Sequence, residues 1–210
     1  MIDLYTWNTP NGRKVSIMLE EIELPYETHA INIAQDEQFT PEFLAISPNN
    51  KIPAIVDRDN GRSMMESGAI LMYLAEKAGQ LLPSDEDGKW RVMEWLMMQM
   101  GSVGPMLGQT HHFVKYNHGK APYAEDRYLN ENKRIYGVLD RRLGEYAYLA
   151  GDEYTIADVA TFPWIARWDW QTMDLNDTPN IKRWYLELAA RPAVQRGFDI
   201  PSKVQDIPMP

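Results

Sequence analysis

Apolar and polar positions alternate over Ile2-Asp3-Leu4-Tyr5-Thr6, which predicts a short strand. The turn-forming Thr9-Pro10-Asn11-Gly12 follows, and beyond it Val15, Met18, Leu19 and Ile22 recur at helical spacing. A β-rich alternation runs from Tyr26 to Ile33, and Thr40-Pro41 then reads as an N-cap with proline at the first helical position. A strand over Ile52–Val56 opens at a proline. Asn60-Gly61 turns the chain into a second strand near Ser63–Met65. Ser67 stands where it can cap an apolar helix through Ile70, Leu71, Leu74 and Ala75. The order β-α-β-α-β-β-α is one compact α/β unit.

The pattern changes at Gly79-Gln80-Leu81-Leu82-Pro83-Ser84-Asp85, a turn-rich stretch that reads as a linker. No convincing strand follows it. Helical spacing covers 87–117, 122–147, 155–171 and 178–190, with a bend or break expected at Gly101, Gly104 and Pro105. Thr155-Ile156-Ala157-Asp158 is a capping-box variant, which makes Asp158 a structural residue at a helix start. The expected layout is an α/β domain over 1–78, a linker over 79–87, an all-helical domain over 88–200 and a tail over 201–210.

Composition narrows the function classes. The 210 residues carry 21 Lys+Arg against 30 Asp+Glu, a formal charge of -9, and neither half is a basic module. That balance argues against nucleic acid as a partner, because phosphate binding needs clustered cations. No stretch approaches the ~18 uninterrupted apolar residues of a membrane helix, and the first residues do not resemble a signal peptide, so no membrane partner is expected. There is no cysteine. Structural disulfides, thiolate metal sites and cysteine nucleophiles are thereby excluded, and a reducing, cytoplasmic compartment is expected. Any sulfur chemistry must use sulfur carried in by a small molecule. His111, His112 and His118 form a poor ligand trio, since adjacent helical side chains point apart, and no metal is expected.

Three short segments can carry chemistry. Ile52-Pro53 opens a strand with a residue that cannot donate to a ladder, leaving the Ile52 backbone able to pair with a peptide-like ligand. Glu66-Ser67 combines a carboxylate for an ammonium with helix-start amides for a carboxylate, which suits the amino-acid end of a small ligand. Thr9 and Asn11 bracket a helix start whose amides and hydroxyl can hold a thiolate and lower a thiol pKa. Gln38 and Lys51 fall in loops and can reach a second carboxylate. Taken singly, each segment is also ordinary turn, cap or strand-edge chemistry.

In this order and spacing the features resemble the glutathione transferase superfamily across essentially the whole chain. Ser47-Pro48-Asn49-Asn50-Lys51-Ile52-Pro53-Ala54-Ile55-Val56-Asp57 is similar to its cis-proline strand, and Glu66-Ser67-Gly68-Ala69-Ile70-Leu71-Met72-Tyr73-Leu74 to its glutathione-binding helix. Thr9-Pro10-Asn11-Gly12, Gly104-Pro105-Met106-Leu107-Gly108-Gln109 and Pro122-Tyr123-Ala124-Glu125-Asp126-Arg127-Tyr128 resemble the bacterial Nu class of glutathione-dependent disulfide-bond oxidoreductases. The resemblance implies a thioredoxin-like first domain, an all-helical second domain and a homodimer. It implies that the Ile52 backbone beside Pro53 holds the cysteinyl part of glutathione and that Glu66 and Ser67 hold the γ-glutamyl end. By the same resemblance Gln38 and Lys51 lie near the glycyl carboxylate, and Thr9 and Asn11 face the sulfur. Arg127 reaches toward a ligand carboxylate from the partner subunit. Tyr5, inside the first strand, is a poor thiol activator. Glutathione, reduced or oxidised, is then the co-substrate, and the partner is a small disulfide. Two alternatives share the same capture site: conjugation of glutathione to an electrophile in a pocket lined partly by Trp7, Met106 and Trp164, and a non-catalytic glutathione-binding module.

Overall fold

The computed structural model describes all residues 1–210. They form two compact units, one of Met1–Leu82 with Ala190–Ile207, the other of Pro83–Ala189 with Pro208–Pro210.

The first unit is built on a four-stranded sheet of β1 (Ile2–Thr6), β2 (Tyr26–Ala30), β3 (Ala54–Asp57) and β4 (Arg62–Met65), in the order β2-β1-β3-β4. β1 and β2 are parallel, and β3 runs antiparallel to both β1 and β4. Helices α1 (Pro10–Glu21), α2 (Pro41–Ile46) and α3 (Ser67–Ala78) complete the βαβαββα order read from the sequence, a thioredoxin-like domain. The second of these strands is shorter than the alternation suggests, ending at Ala30, and β3 begins at Ala54, after the proline, where backbone donors become available to the ladder.

One helix of this unit comes from the far end of the chain. Residues 88–200 were expected as a single helical domain; instead α9 (Pro192–Phe198) packs on α1 within the first unit. Gly197 makes this possible. A Cβ there would lie 2.5 Å from Ile17 Cα, so only a residue without one lets the two backbones touch. The contact is bonded as well as packed. Ser16 Oγ donates to Gly197 O at 2.6 Å, Arg13 Nε donates to Phe198 O at 3.1 Å, and Arg191 grips Glu21 through two bonds of 2.7 Å. With α9 on one side and α3 on another, every residue of α1 from Gly12 to Leu19 is buried, not just the apolar stripe.

The second unit is all helical: α4 (Glu86–Met98), α5 (Gly104–Thr110), α6 (Pro122–Glu145), α7 (Ile156–Ile165) and α8 (Pro179–Ala189). The break expected near Pro105 is replaced by wide π turns at Gln99–Val103 and His111–Tyr116, which carry helical backbone through from α4 past α5. A π turn shifts the hydrogen-bond register and so absorbs the donor that proline lacks. The capping box forms as read: Asp158 accepts from Thr155 N at 3.0 Å, and also from Leu149 N and Trp184 Nε1, tying the start of α7 to α8. Burial pushes its carboxyl up to about 6 against the pull of these donors.

Asp57, at the end of β3, is fully buried and bonded by Lys77, Tyr73 and the Asp59 amide. Burial opposes its ionisation, yet these bonds prevail and hold the pKa down at about 2, against 3.8 ordinarily. Because the folded value lies below the unfolded one, the stabilisation is complete above pH 3.8 and is lost as pH falls toward 2. Asp57→Asn should therefore cost about 2 kcal/mol at neutral pH and flatten the acid limb of a denaturation curve followed by circular dichroism. In the same assay Gly197→Ala should cost about 3 kcal/mol by forcing α9 off α1.

Candidate glutathione site

The sheet register brings the candidate segments to one end of the first unit. Tyr5 of β1 is opposite Ala54 of β3, and Ala54 is opposite Met65 of β4. The turn carrying Thr9, the Ile52-Pro53 step and the Glu66-Ser67 step thus leave the same end of the sheet. β2 ends at this end too, since Thr6 pairs in parallel with Ala30, and the chain proceeds from there to Gln38.

Thr9 is the N-cap of α1, its Oγ1 accepting from Gly12 N at 3.1 Å. A hydroxyl that accepts one bond still has a proton to donate. Gly12 is dictated by the tightness of the turn, because a Cβ there would meet Trp7 O at 2.2 Å. Asn11 follows in the first turn, and no acidic residue occupies that turn to cancel the positive end of the helix.

The Ile52-Pro53 bond is cis, and Ile52 precedes the first β3–β4 pair, so its backbone stands outside the ladder. The preceding loop is fixed by Ser47 Oγ, which donates to Lys51 O at 2.9 Å; the Lys51 side chain itself is exposed. Gln38 is half-buried, and its Oε1 is buried without a hydrogen-bond partner.

Ser67 was expected to cap α3. It is instead the first helical residue, and the cap position falls to Glu66, which makes no side-chain cap bond. The start of α3 therefore lacks the side-chain acceptor that most helices have. Glu66 sits at φ 70, a left-handed backbone that its side chain disfavours, and its carboxylate accepts from Asn49 Nδ2 at 3.1 Å. Ser67 Oγ accepts from Lys14 Nζ at 3.3 Å.

Lys14 and Asn49 escaped the sequence reading. Lys14 carried a signal, a lysine one turn into an otherwise inward-facing helix, but its partner Ser67 is more than fifty residues away in sequence. Asn49 carried none beyond its place in a turn.

Arg127 belongs to the other unit. It lies on α6 and lines a cavity of about 740 Å³ with Met106, Tyr123 and Arg134. The residues suggested for an apolar pocket are divided likewise: Trp7 is in the first unit, Met106 and Trp164 in the second. Trp164 packs across Gly104 and Gly108 and stacks on buried His111, whose pKa burial pushes down to about 4. His118 pairs with Glu125 at 3.0 Å. Tyr5 stacks on His29, and burial raises its pKa, which fits poorly with a thiol-activating role.

A cysteine-free chain with two helix starts, an unpaired strand edge and a buried amide oxygen at one sheet end matches known proteins over nearly its whole length. A family model described as the N-terminal domain of glutathione S-transferase matches residues 4–82, and one described as its C-terminal domain matches 96–192. Disulfide-bond oxidoreductase YfcG of Escherichia coli is 48% identical over 203 residues, spanning 94% of both chains. A glutathione transferase family member from Pseudomonas fluorescens, solved with two glutathione bound, is 46% identical with a TM-score of 0.87, covering 95% of this chain and 93% of that one. A glutathione transferase from Pseudomonas putida, solved with one glutathione disulfide per subunit, is 44% identical with a TM-score of 0.88, covering 96% and 92%. This chain belongs to the glutathione S-transferase family.

Proposed function

We propose that this protein is a glutathione-dependent disulfide-bond oxidoreductase that reduces small disulfides through bound glutathione thiolate. The observation that carries the reading is the absence of any cysteine from a glutathione S-transferase family chain whose Ile52 backbone stands outside the strand ladder. The names of the relatives point the same way, one a disulfide-bond oxidoreductase and two others solved with glutathione or its disulfide.

In this reading the tripeptide lies along the Ile52 backbone beside Pro53 as an added strand. Its glutamyl end meets Glu66 and Ser67, and its glycyl carboxylate meets Gln38 and Lys51. Thr9 and Asn11 donate to the sulfur. The first glutathione thiolate attacks one sulfur of the incoming disulfide, forming a mixed disulfide and expelling a thiolate that takes up a proton. A second glutathione thiolate attacks the glutathione sulfur of that intermediate, expelling the other half as thiolate. The products are glutathione disulfide and two thiols. We further propose that the protein is a cytoplasmic homodimer of the Nu class, with Arg127 contributing toward a ligand carboxylate from the partner subunit. The lack of cysteine accords with a reducing compartment, and no helix is long and apolar enough to cross a membrane.

The purified protein should reduce hydroxyethyl disulfide with glutathione, and the Thr9→Ala, Asn11→Ala double variant should lose about tenfold or more in kcat. No disulfide turnover alongside rapid conjugation of chlorodinitrobenzene would replace the oxidoreductase reading with the transferase one. Full activity in the double variant would remove the sulfur contacts assigned to it. Native mass spectrometry of freshly purified protein should show two chains with glutathione or its disulfide retained.

A further inference from the structure

Two turns of the second unit meet in an aromatic cluster. The π turn His111–Tyr116 packs on the turn Trp168–Gln171, which follows α7. Gln171 ties them together: its Nε2 donates to His111 Nε2 at 3.2 Å and to Trp164 O at 2.8 Å, and its Oε1 accepts from the Tyr136 hydroxyl at 2.6 Å. His111 and Tyr116 both make T-shaped contacts with the Trp170 ring, at 5.5 and 5.8 Å.

Arg167 is the anomaly in this cluster. It is 7% exposed, yet its guanidinium makes no hydrogen bond and no ion pair, and lies over Trp170 with Cζ 4.3 Å from the ring centroid. A buried guanidinium ordinarily has a carboxylate or several carbonyls to take its protons, because an unpaired charge out of water is destabilising. A ring face offsets part of that cost but accepts none of the in-plane donors. Burial accordingly pushes the Arg167 pKa down, and the charge of exposed Asp169 acts on it only through space. None of the guanidinium nitrogens is sealed from solvent.

The surroundings repeat the imbalance. Lys115 is exposed and has no ion pair, and its Nζ lies 5.3 Å from the same Trp170 centroid. Burial first, then the charges of Arg167 and Lys115, hold His111 down at about 4, so it is neutral at pH 7. Trp168, next in the chain, buries its indole N–H without an acceptor. Donors and cations without acceptors are gathered here, on a chain whose net charge is -9.

We propose that Arg167, with Lys115 as a second cation, is a binding site for the carboxylate of a small aromatic acid. The proposal rests on the second unit alone and does not depend on the glutathione reading. The planar fork of a guanidinium matches the two oxygens of a carboxylate. A phosphate would bring a further negative charge toward Asp169, which favours the carboxylate. The aromatic body follows from Tyr116, 64% exposed beside Trp170, a ring surface against which a flat ligand can stack.

In the full-length protein the indole N–H resonance of Trp170, assigned with Trp170→Phe, reports on the site. Benzoate should move that resonance saturably, and benzamide, of the same shape without the charge, should not. Arg167→Met should weaken benzoate about tenfold and Lys115→Met about twofold. Benzamide acting as benzoate does, or equal benzoate affinity in Arg167→Met, would overturn the proposal. Phenyl phosphate binding more than about tenfold tighter than benzoate would overturn the carboxylate assignment and make this a phosphate site. Should Arg167→Met fail to fold, Arg167→Lys keeps the charge and loses the fork, and should still weaken benzoate about threefold. Unchanged affinity in that variant, or a wild-type resonance that ignores benzoate, counts against the site.

Discussion

The Arg13 guanidinium lies 3.6 Å over the Phe198 ring and bonds the Phe198 carbonyl, beside the glycine that lets α9 touch α1. On this contact the first unit depends. It turns a helix that begins at the site into one enclosed on all sides, with Arg13 and Lys14 both buried. Two adjacent buried cations on one helix would be destabilising without fixed partners, since each charge leaves water. Arg13 Nε donates to the Phe198 carbonyl, and Lys14 Nζ donates to the Ser67 hydroxyl oxygen. The consequence for the site is geometric. The helix that begins at Thr9 and Asn11 is bonded in its first turns to residues more than 180 positions away in sequence.

In the proposed reading, with the sulfur at the start of α1, a neutral cradle is enough for the chemistry. Lowering a thiol pKa by one unit takes about 1.4 kcal/mol. A helix start contributes up to about 1 kcal/mol at an exposed position and more when partly buried. One hydroxyl or amide bond to an ionised sulfur adds about 1.5–3 kcal/mol. Thr9, Asn11 and the first amides of α1 can therefore bring a thiol near 8.5 into the neutral range without a cation beside the sulfur. That arrangement keeps the nucleophilicity that falls as thiol pKa falls too far.

Much of this was legible in the sequence because it is local. The turn and helix start at Thr9-Pro10-Asn11-Gly12, the capping box at Thr155 and Asp158, the hairpin at Asn60-Gly61 and the β-α-β-α-β-β-α element order follow from turn chemistry and spacing within a few residues, while the thioredoxin-like fold followed from the family resemblance. What escaped is non-local. Nothing near residue 192 says that α9 returns to the first unit; contacts with distant residues place it there, among them the close approach at Gly197 and the bonds from Arg13, Ser16 and Arg191. Lys14 was not singled out because the segment that takes its ammonium, at Ser67, lies more than fifty residues on. Ser67 was misplaced by one position for a different reason. Serine is so favoured at caps that its propensity hid Glu66, which takes the cap position with a strained backbone and no capping bond.

That last departure is informative about function. A helix of twelve residues normally begins with a side chain that accepts from its first amides, and doing without one costs about 1 kcal/mol. The left-handed backbone at Glu66 adds to that cost. Both occur at one residue, at the sheet end where β1, β3 and β4 meet their turns, and leave the cap position of α3 without a side-chain acceptor. In the proposed reading the glutamyl carboxylate completes it: the ligand serves as the missing N-cap of α3, and part of its binding energy is stability that the empty protein forgoes.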